Sequence, residues 1–111
     1  MNNTIFIGFQ GSGKTTKLKE IQESLSCQGK NVFWICEEQY ELSSFSDSLL
    51  KNFDHIIVDS IHSERRSKFF IKRLIKLGLS FSAGMLFERS VPKSLSKHFD
   101  IVRLSNAVRK L

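Results

Sequence analysis

The stretch Gly8-Phe9-Gln10-Gly11-Ser12-Gly13-Lys14-Thr15 decides how this 111-residue chain is interpreted, because it matches the pattern G-x-x-x-x-G-K-[ST] at every fixed position. The apolar run Thr4-Ile5-Phe6-Ile7 precedes it and predicts a buried strand. From Lys14 onward, apolar residues recur three and four positions apart as far as Leu25, which is the spacing of one helix face. The motif therefore lies between a strand and a helix.

This loop is suited to binding a nucleoside triphosphate. Its glycines let successive backbone N–H groups approach phosphate oxygens, and the helix that follows adds its positive dipole end. Lys14 supplies a cation for the β- and γ-phosphates, and the Thr15 hydroxyl is a ligand for Mg²⁺. We therefore expect ATP and Mg²⁺ to bind here. The predicted nucleotide-binding residues are Gly8, Phe9, Gln10, Gly11, Ser12, Gly13, Lys14, Thr15 and Thr16.

The rest of the chain alternates between predicted strands and helices. Further strands are predicted at 31–36, 55–59, 79–87 and 100–104, and further helices at 42–49, 63–77 and 92–98. Ser63 is the predicted N-cap of the helix over 63–77, and Gly29 the predicted cap that ends the first helix. Strict alternation with apolar strands predicts a mainly parallel five-stranded sheet covered by helices on both faces. The expected fold is a three-layer αβα P-loop NTPase fold forming one domain over residues 1–111.

A carboxylate follows the third predicted strand. The run Ile56-Ile57-Val58-Asp59 places Asp59 at the carboxyl end of a buried strand, the edge at which ligands bind in open α/β sheets. A second ligand for Mg²⁺ is needed beside Thr15 in such a site. Thr15 and Asp59 are therefore the predicted metal residues.

Hydrolysis also needs a residue that orients the attacking water. Many P-loop ATPases have a glutamate directly after the metal-binding aspartate, but this chain has Ser60 there. The available carboxylates are Glu64 and the pair Glu37-Glu38 that ends the second strand. The pair is favoured, because it leaves a buried strand at the ligand-binding edge.

Together with the phosphate loop, the runs Val32-Phe33-Trp34-Ile35-Cys36-Glu37-Glu38-Gln39 and Ile56-Ile57-Val58-Asp59-Ser60 resemble the RecA-like ATPases, particularly the RecA, RadA and KaiC branch. The resemblance implies that Glu38 is the catalytic glutamate, with Glu37 as the neighbouring alternative. It also implies that Asp59 holds Mg²⁺. Lys14, the cation of the phosphate loop, is counted with these glutamates as a predicted catalytic residue. The DNA-binding loops and oligomerisation segments of the recombinases have no evident counterpart in this chain.

The same resemblance implies an oligomer or a partner protein, because a neighbour's arginine commonly completes such sites. Arg65, Arg66 and Arg89 are candidates for that role by position only. Glu88 or Arg89, at the end of the fourth predicted strand, is a candidate sensor of the γ-phosphate. His62, three residues after Asp59, is a further candidate contact to phosphate, although a single histidine is more often structural.

Positive charge is concentrated in the second half of the chain. The whole chain has 17 Lys+Arg and 11 Asp+Glu, and residues 56–111 hold 12 basic and 4 acidic side chains. An aromatic side chain among cations stacks well on an unpaired base, so nucleic acid is one predicted partner. A solvated basic helix face and a docking surface for a protein are the alternatives. The residues concerned, on one side of the helix over 63–77, are Arg65, Lys68, Phe69, Lys72 and Lys76.

Several classes of protein are excluded by composition. The sequence has no apolar run long enough for a transmembrane helix and no basic segment followed by a long apolar one at its start. Its two cysteines, Cys27 and Cys36, do not form a metal-binding or redox motif. We therefore expect a cytoplasmic protein without a membrane span.

Two other functions remain open at this stage. The phosphate loop, the order of elements and the tail from Pro92 to Leu104 also resemble thymidine kinase. Ser60 and the absence of cysteine pairs count against that kinase, since the family has a glutamate after its aspartate and a zinc module. The other alternative is a nucleotide-binding regulatory or interaction protein that does not hydrolyse ATP.

Overall fold

The computed structural model describes residues 3–9, 12–36, 42–61 and 63–104, which form a parallel sheet with helices on both faces. Every strand pairing is parallel, and the strands lie in the order β2-β3-β4-β1-β5. This arrangement confirms the predicted α/β fold with a parallel five-stranded sheet. The strands are β1 (Thr4–Ile7), β2 (Val32–Cys36), β3 (His55–Ile61), β4 (Ser80–Met85) and β5 (Asp100–Arg103).

Three α-helices connect the strands: α1 (Lys14–Cys27), α2 (Asp47–Leu50) and α3 (Glu64–Lys76). The helix predicted over 42–49 is instead a 3-10 segment, Leu42–Ser44, followed by the single turn of α2. The helix predicted over 92–98 is a 3-10 segment, Lys93–His98, with Pro92 just outside it. Both segments are short and rich in serine, which competes for backbone hydrogen bonds and disfavours a continuous α-helix.

The predicted helix caps are confirmed. The Arg66 N–H donates to the Ser63 hydroxyl at 3.3 Å at the start of α3. At the end of α1, Gly29 has φ +81°, and the Lys30 N–H donates to the Leu25 carbonyl at 3.0 Å. This pattern is the Schellman cap, in which glycine takes the left-handed conformation.

Each face of the sheet has its own apolar cluster. On the α3 face, Phe70, Ile71 and Leu74 pack with Ile56 and other strand residues in the larger cluster. The smaller cluster joins α1 to the opposite face through Phe6, Leu18 and Ile57. The sheet is therefore the middle of three layers.

A bulge interrupts β3 at its carboxyl end. The pairing with β4 advances three residues from Val58 to Ile61 while β4 advances two from Ala83 to Met85, so β3 has one extra residue. Ile56 and Val58 lie in the α3-side cluster and Ile57 in the α1-side cluster, as regular alternation requires. Ile61 also lies in the α3-side cluster, which the extra residue makes possible.

In the described part of the chain, no helix combines the length and the apolar character that crossing a membrane requires.

One ionisable side chain is buried in the sheet. His55, at the start of β3, is 1% exposed, and its Nε2 atom is hydrogen-bonded to the Ser82 hydroxyl at 2.8 Å. Its Nδ1 atom is buried with no hydrogen-bond partner among the described residues. Burial lowers the pKa of His55 to about 4, because the charged imidazolium is poorly solvated there.

We predict that this histidine makes the fold sensitive to acid. The folded chain holds His55 neutral, whereas the unfolded chain protonates it near pH 6.5, so stability present above that pH is lost as the pH falls toward 4. The loss is expected to reach about 3 kcal/mol in the free energy of unfolding. Urea denaturation at a series of pH values measures it. The double variant His55→Val/Ser82→Ala should remove this step, and the exposed-site control His98→Gln should retain it. Equal pH dependence in wild type and double variant would show that His55 is not the cause.

Candidate nucleotide-binding site

The loop that follows β1 begins at a strand end held on both sides. The Gly8 N–H donates to the Met85 carbonyl of β4 at 3.1 Å, and the Leu104 N–H donates to the Ile7 carbonyl at 2.7 Å. Two neighbouring strands therefore fix the point at which the chain leaves the sheet.

The loop then turns back sharply, which requires glycine at position 8. A Cβ atom on Gly8 would lie 2.4 Å from the Ser12 hydroxyl oxygen and 3.1 Å from the Leu104 carbonyl oxygen. The Ser12 N–H donates to the Phe9 carbonyl at 3.1 Å and closes the turn. Gly13 has φ +97° and leads directly into α1. These two glycines perform the role that the motif predicts, close approach of the backbone and a left-handed turn.

Lys14 is the first residue of α1 and is 7% exposed. Its ammonium group donates to the carbonyl oxygens of Gly8 and Phe9, the latter at 3.3 Å. Burial lowers the pKa of Lys14, while the negative charge of Asp59 opposes that shift. The ammonium group of Lys14 is therefore held by the loop that precedes α1 in the sequence.

Thr15 and Asp59 are brought together from separate elements. The Thr15 hydroxyl, in the first turn of α1, donates to Asp59 Oδ2 at 3.1 Å and lies 3.4 Å from Oδ1. The Ser60 hydroxyl donates to Asp59 Oδ1 at 3.2 Å. The predicted pair of metal residues therefore forms one hydrogen-bonded group at the carboxyl edge of the sheet.

Ser60 has a backbone conformation that is uncommon for a residue with a side chain. Its φ is +66°, the only positive value at a non-glycine residue in the part of the chain that the structure describes. The left-handed region costs roughly 1–2 kcal/mol for such a residue. It coincides with the bulge in β3, directly after Asp59.

The residues present fit a magnesium–triphosphate group. The hydroxyl oxygen of Ser12 is buried without a hydrogen-bond partner among the described residues. It lies in the tight loop that the lack of a side chain at Gly8 makes possible. Thr15 and Asp59 offer hydroxyl and carboxylate oxygens, the ligands that Mg²⁺ prefers. The first turn of α1 directs its N–H groups toward the same loop.

Some of the predicted site residues lie outside the described part of the chain: Gln10, Gly11, Glu37, Glu38 and His62. Cys36, the residue before the glutamate pair, lies opposite Asp59 in the pairing of β2 with β3. The described part of β2 therefore ends at the edge of the sheet that carries Asp59. Thr16 is exposed on α1, next to Thr15.

The two candidate sensors at the end of β4 have different surroundings. Both carboxylate oxygens of Glu88 accept from Arg103 Nε at 3.0 Å, and this hydrogen-bonded pairing lowers the pKa of Glu88. The Arg89 guanidinium carbon lies 4.3 Å from the centre of the Phe87 ring. Phe87 contacts the ring of Phe9 edge-on, with the ring centres 6.5 Å apart. The ion pair between Glu88 and Arg103 spans the end of β1, because β1 lies between β4 and β5 in the sheet. The sequence did not predict this pair, since the order of the strands is not evident from local patterns.

A basic groove runs along the other face of the sheet, beside α3. Its volume is about 750 Å³, and it lies between α3 and the 3-10 segment Leu42–Ser44. A second depression of about 710 Å³ continues from it along the same helix and shares Phe69, Lys72 and Arg73 with it. The residues that line the first groove are Leu42, Ser43, Ser63, Arg65, Arg66, Lys68, Phe69, Phe70, Lys72 and Arg73.

Phe69 is the exposed aromatic residue of this groove. It is 69% exposed, whereas its neighbour Phe70 is buried in the core. Arg73 is fixed in the wall, because its Nε donates to Asp47 Oδ1 at 2.7 Å and its guanidinium also donates to the Phe45 carbonyl. Lys68 and Lys72 are exposed on the same helix. The structure thus places the predicted aromatic residue among cations on an open surface.

The fold is shared with known proteins: the chain has the mainly parallel α/β fold of P-loop NTPases. Comparison with known proteins supports this assignment through structure alone, since no protein-family model and no curated protein matches the chain.

Solved structures that share the fold include these three. A DNA replication initiation factor superposes with a TM-score of 0.68 at 15% identity, over 94% of this chain and 40% of that one. AMPPCP-bound DnaA from Aquifex aeolicus gives 0.66 at 14% identity, over 94% of this chain and 41% of that one. Replication initiator DnaA bound to AMPPCP and single-stranded DNA gives 0.65 at 16% identity, over 92% of this chain and 40% of that one. This chain therefore spans about two fifths of each neighbour's length.

We predict that Gly8→Ala destabilises the protein by about 1–3 kcal/mol, because the added methyl group overlaps the Ser12 side chain. Adding Ser12→Gly should recover part of that loss, since it removes the two nearest contacting atoms and leaves the Leu104 carbonyl oxygen. Urea denaturation measures both free energies of unfolding. Gly78→Ala is the matched control: its φ of +72° makes alanine strained, but no atom lies within 4 Å of the added Cβ. The proposed overlap with Ser12 would be contradicted if Ser12→Gly restored the stability of Gly78→Ala, or if it restored none of the stability of Gly8→Ala.

Proposed function

We propose that the chain binds Mg-ATP and hydrolyses it as an ATPase of the RecA-like type, coupled to single-stranded nucleic acid or to a protein assembly. One observation carries this proposal. The Lys14 ammonium group is bonded to the loop that follows β1, and the next residue, Thr15, donates a hydrogen bond to Asp59. The structures of DnaA with AMPPCP support nucleotide binding by a chain of this fold. An oligomer or partner protein that supplies an arginine is part of the proposal.

The residues of the loop hold the substrate and its charge. The backbone N–H groups from Gly8 to Thr15 bind the phosphates, and Lys14 neutralises the β- and γ-phosphates. Thr15 and Asp59 would hold Mg²⁺, which would supply positive charge to stabilise the transferring phosphoryl group. Glu38, with Glu37 as the alternative, orients the attacking water and accepts its proton.

The thymidine-kinase-like alternative has less support. Ser60 stands at the position where that family has a glutamate, and its hydroxyl is bonded to Asp59. Formation of a nucleoside monophosphate from a nucleoside and ATP would favour the kinase over the hydrolase.

Phosphate release from Mg-ATP tests the hydrolase. We predict that Lys14→Ala removes ATP binding, because it deletes the buried cation of the loop. Glu38→Gln should retain binding and lower kcat by about 10²–10⁴-fold, the usual contribution of a general base. The exposed residue Glu23 on α1 provides the matched control, Glu23→Gln, which should have the wild-type rate. Wild-type turnover in Glu38→Gln with loss in Glu37→Gln would move the base to Glu37. ATP binding without turnover in the wild type would favour the non-hydrolysing alternative.

The groove beside α3 is the proposed surface for nucleic acid. An exposed phenylalanine stacks on an unpaired base, and the lysines around it neutralise backbone phosphates. The structure of DnaA with AMPPCP and single-stranded DNA supports binding of single-stranded DNA by a protein that contains this fold. Because α3 follows β3 after two residues, the groove and Asp59 are on connected elements.

Binding of a single-stranded oligonucleotide at several salt concentrations separates stacking from charge. Phe69→Ala should weaken binding by about 1–3 kcal/mol without changing the salt dependence, because it removes a stacking surface. Lys72→Gln should lower the slope of log affinity against log salt by about 0.7. Lys30→Gln makes the same charge change at an exposed residue that follows α1, on the opposite face, and should leave binding and slope unchanged. Equal effects of Lys30→Gln and Lys72→Gln would mean that the charge acts without a defined site.

A further inference from the structure

Ser60 combines three features: it follows the predicted metal residue, it lies at the bulge of β3 and it has φ +66°. We propose that Ser60 is a positioning residue that holds the Asp59 carboxylate in the orientation needed for a magnesium ion. This inference rests on the proposed binding of Mg-ATP. It goes beyond that function by assigning a task to a residue that the motif leaves unassigned.

Regular alternation sets the face of the sheet that Asp59 uses, and the bulge changes the alternation directly after it. Asp59 follows Val58, whose side chain is in the α3-side cluster, so the carboxylate projects to the α1 side and meets Thr15. Two residues later, Ile61 is again in the α3-side cluster. Ser60 is the residue between them, and its left-handed conformation accompanies this change of alternation.

The hydrogen bonds assign separate tasks to the two hydroxyl groups. Ser60 donates to Oδ1 of Asp59, and Thr15 makes its shorter contact with Oδ2. Thr15 is itself a proposed metal ligand. Ser60 is therefore the donor to this carboxylate that has no other proposed task.

The neighbouring strand leaves room for this arrangement. A Cβ atom at Gly84 of β4 would lie 3.6 Å from both Asp59 Oδ1 and the Ser60 nitrogen, and 3.3 Å from Leu18 of α1. The carboxylate and the bulge thus pack directly over a position without a side chain.

Glycine would adopt the same backbone conformation without strain, but it has no hydroxyl group. Serine at this position sacrifices stability and gains a hydrogen bond to the metal residue. Strain that persists beside a functional group is the pattern expected when the conformation serves the site.

The experiment separates stability from metal binding in three variants. Affinity for the non-hydrolysable analogue AMPPCP is measured by calorimetry over a range of Mg²⁺ concentrations, and the Tm is measured without nucleotide. Ser60→Gly should raise the Tm by about 4 °C, because it removes the strain, and raise the half-saturating Mg²⁺ concentration by about tenfold. Ser60→Ala should show the same Mg²⁺ shift without the gain in Tm. Ser48→Ala, at an exposed position of α2, is the control and should leave the Mg²⁺ dependence unchanged.

The outcomes distinguish the inference from the proposed function. If Ser60→Gly has the Mg²⁺ dependence of the wild type, the positioning role is overturned, whatever the result for Ser60→Ala. The proposed Mg-ATP site is not affected by that outcome. A wild-type protein that binds AMPPCP equally with and without Mg²⁺, or does not bind it, overturns the proposed function and this inference with it. If Ser60→Ala fails to fold, the glycine variant alone decides the result.

Discussion

The close return of the chain at Gly8 is the contact on which the rest of the site depends. The Ser12 side chain occupies the space that any other residue at position 8 would need, so the loop is folded tightly against the end of β1. That fold places Gly13 and Lys14 where α1 can begin over the sheet. It also directs the lysine ammonium group to the carbonyls of Gly8 and Phe9. Glycine at position 8 therefore determines the position of the cation.

Much of this arrangement follows from the sequence, because the signals are local. The phosphate loop has a fixed spacing, and the caps at Ser63 and Gly29 come from side-chain and backbone chemistry within a few residues. The apolar strands and the faces of α3 follow from periodicity, including the exposure of Phe69. The position of Asp59 at the carboxyl edge of the sheet, beside Thr15, also follows from a local pattern: a carboxylate at the carboxyl end of a run of buried strand residues.

The features that sequence could not predict depend on which strands are neighbours. The pairing of Glu88 with Arg103 requires β4 and β5 to flank β1, and no local pattern reveals that order. The conformation of Ser60 was missed because serine carries no signal for a positive φ, unlike glycine or asparagine. The helix predicted over 92–98 is a 3-10 segment, and the one predicted over 42–49 is a 3-10 segment followed by the α-helical turn Asp47–Leu50, since apolar spacing alone does not separate the two helix types.

The position of β1 in the sheet has a consequence for how the chain folds. Strand β1 precedes the other four in the sequence but pairs with β4 and β5, whereas β2, β3 and β4 pair in the order in which they appear. Contacts between distant parts of a chain form slowly, because a long loop must close first. The end of β1, from which the phosphate loop leaves the sheet, is held by contacts with Met85 and Leu104, more than seventy residues further along the chain. The shape of this short local motif therefore depends on some of the most distant contacts in the sheet.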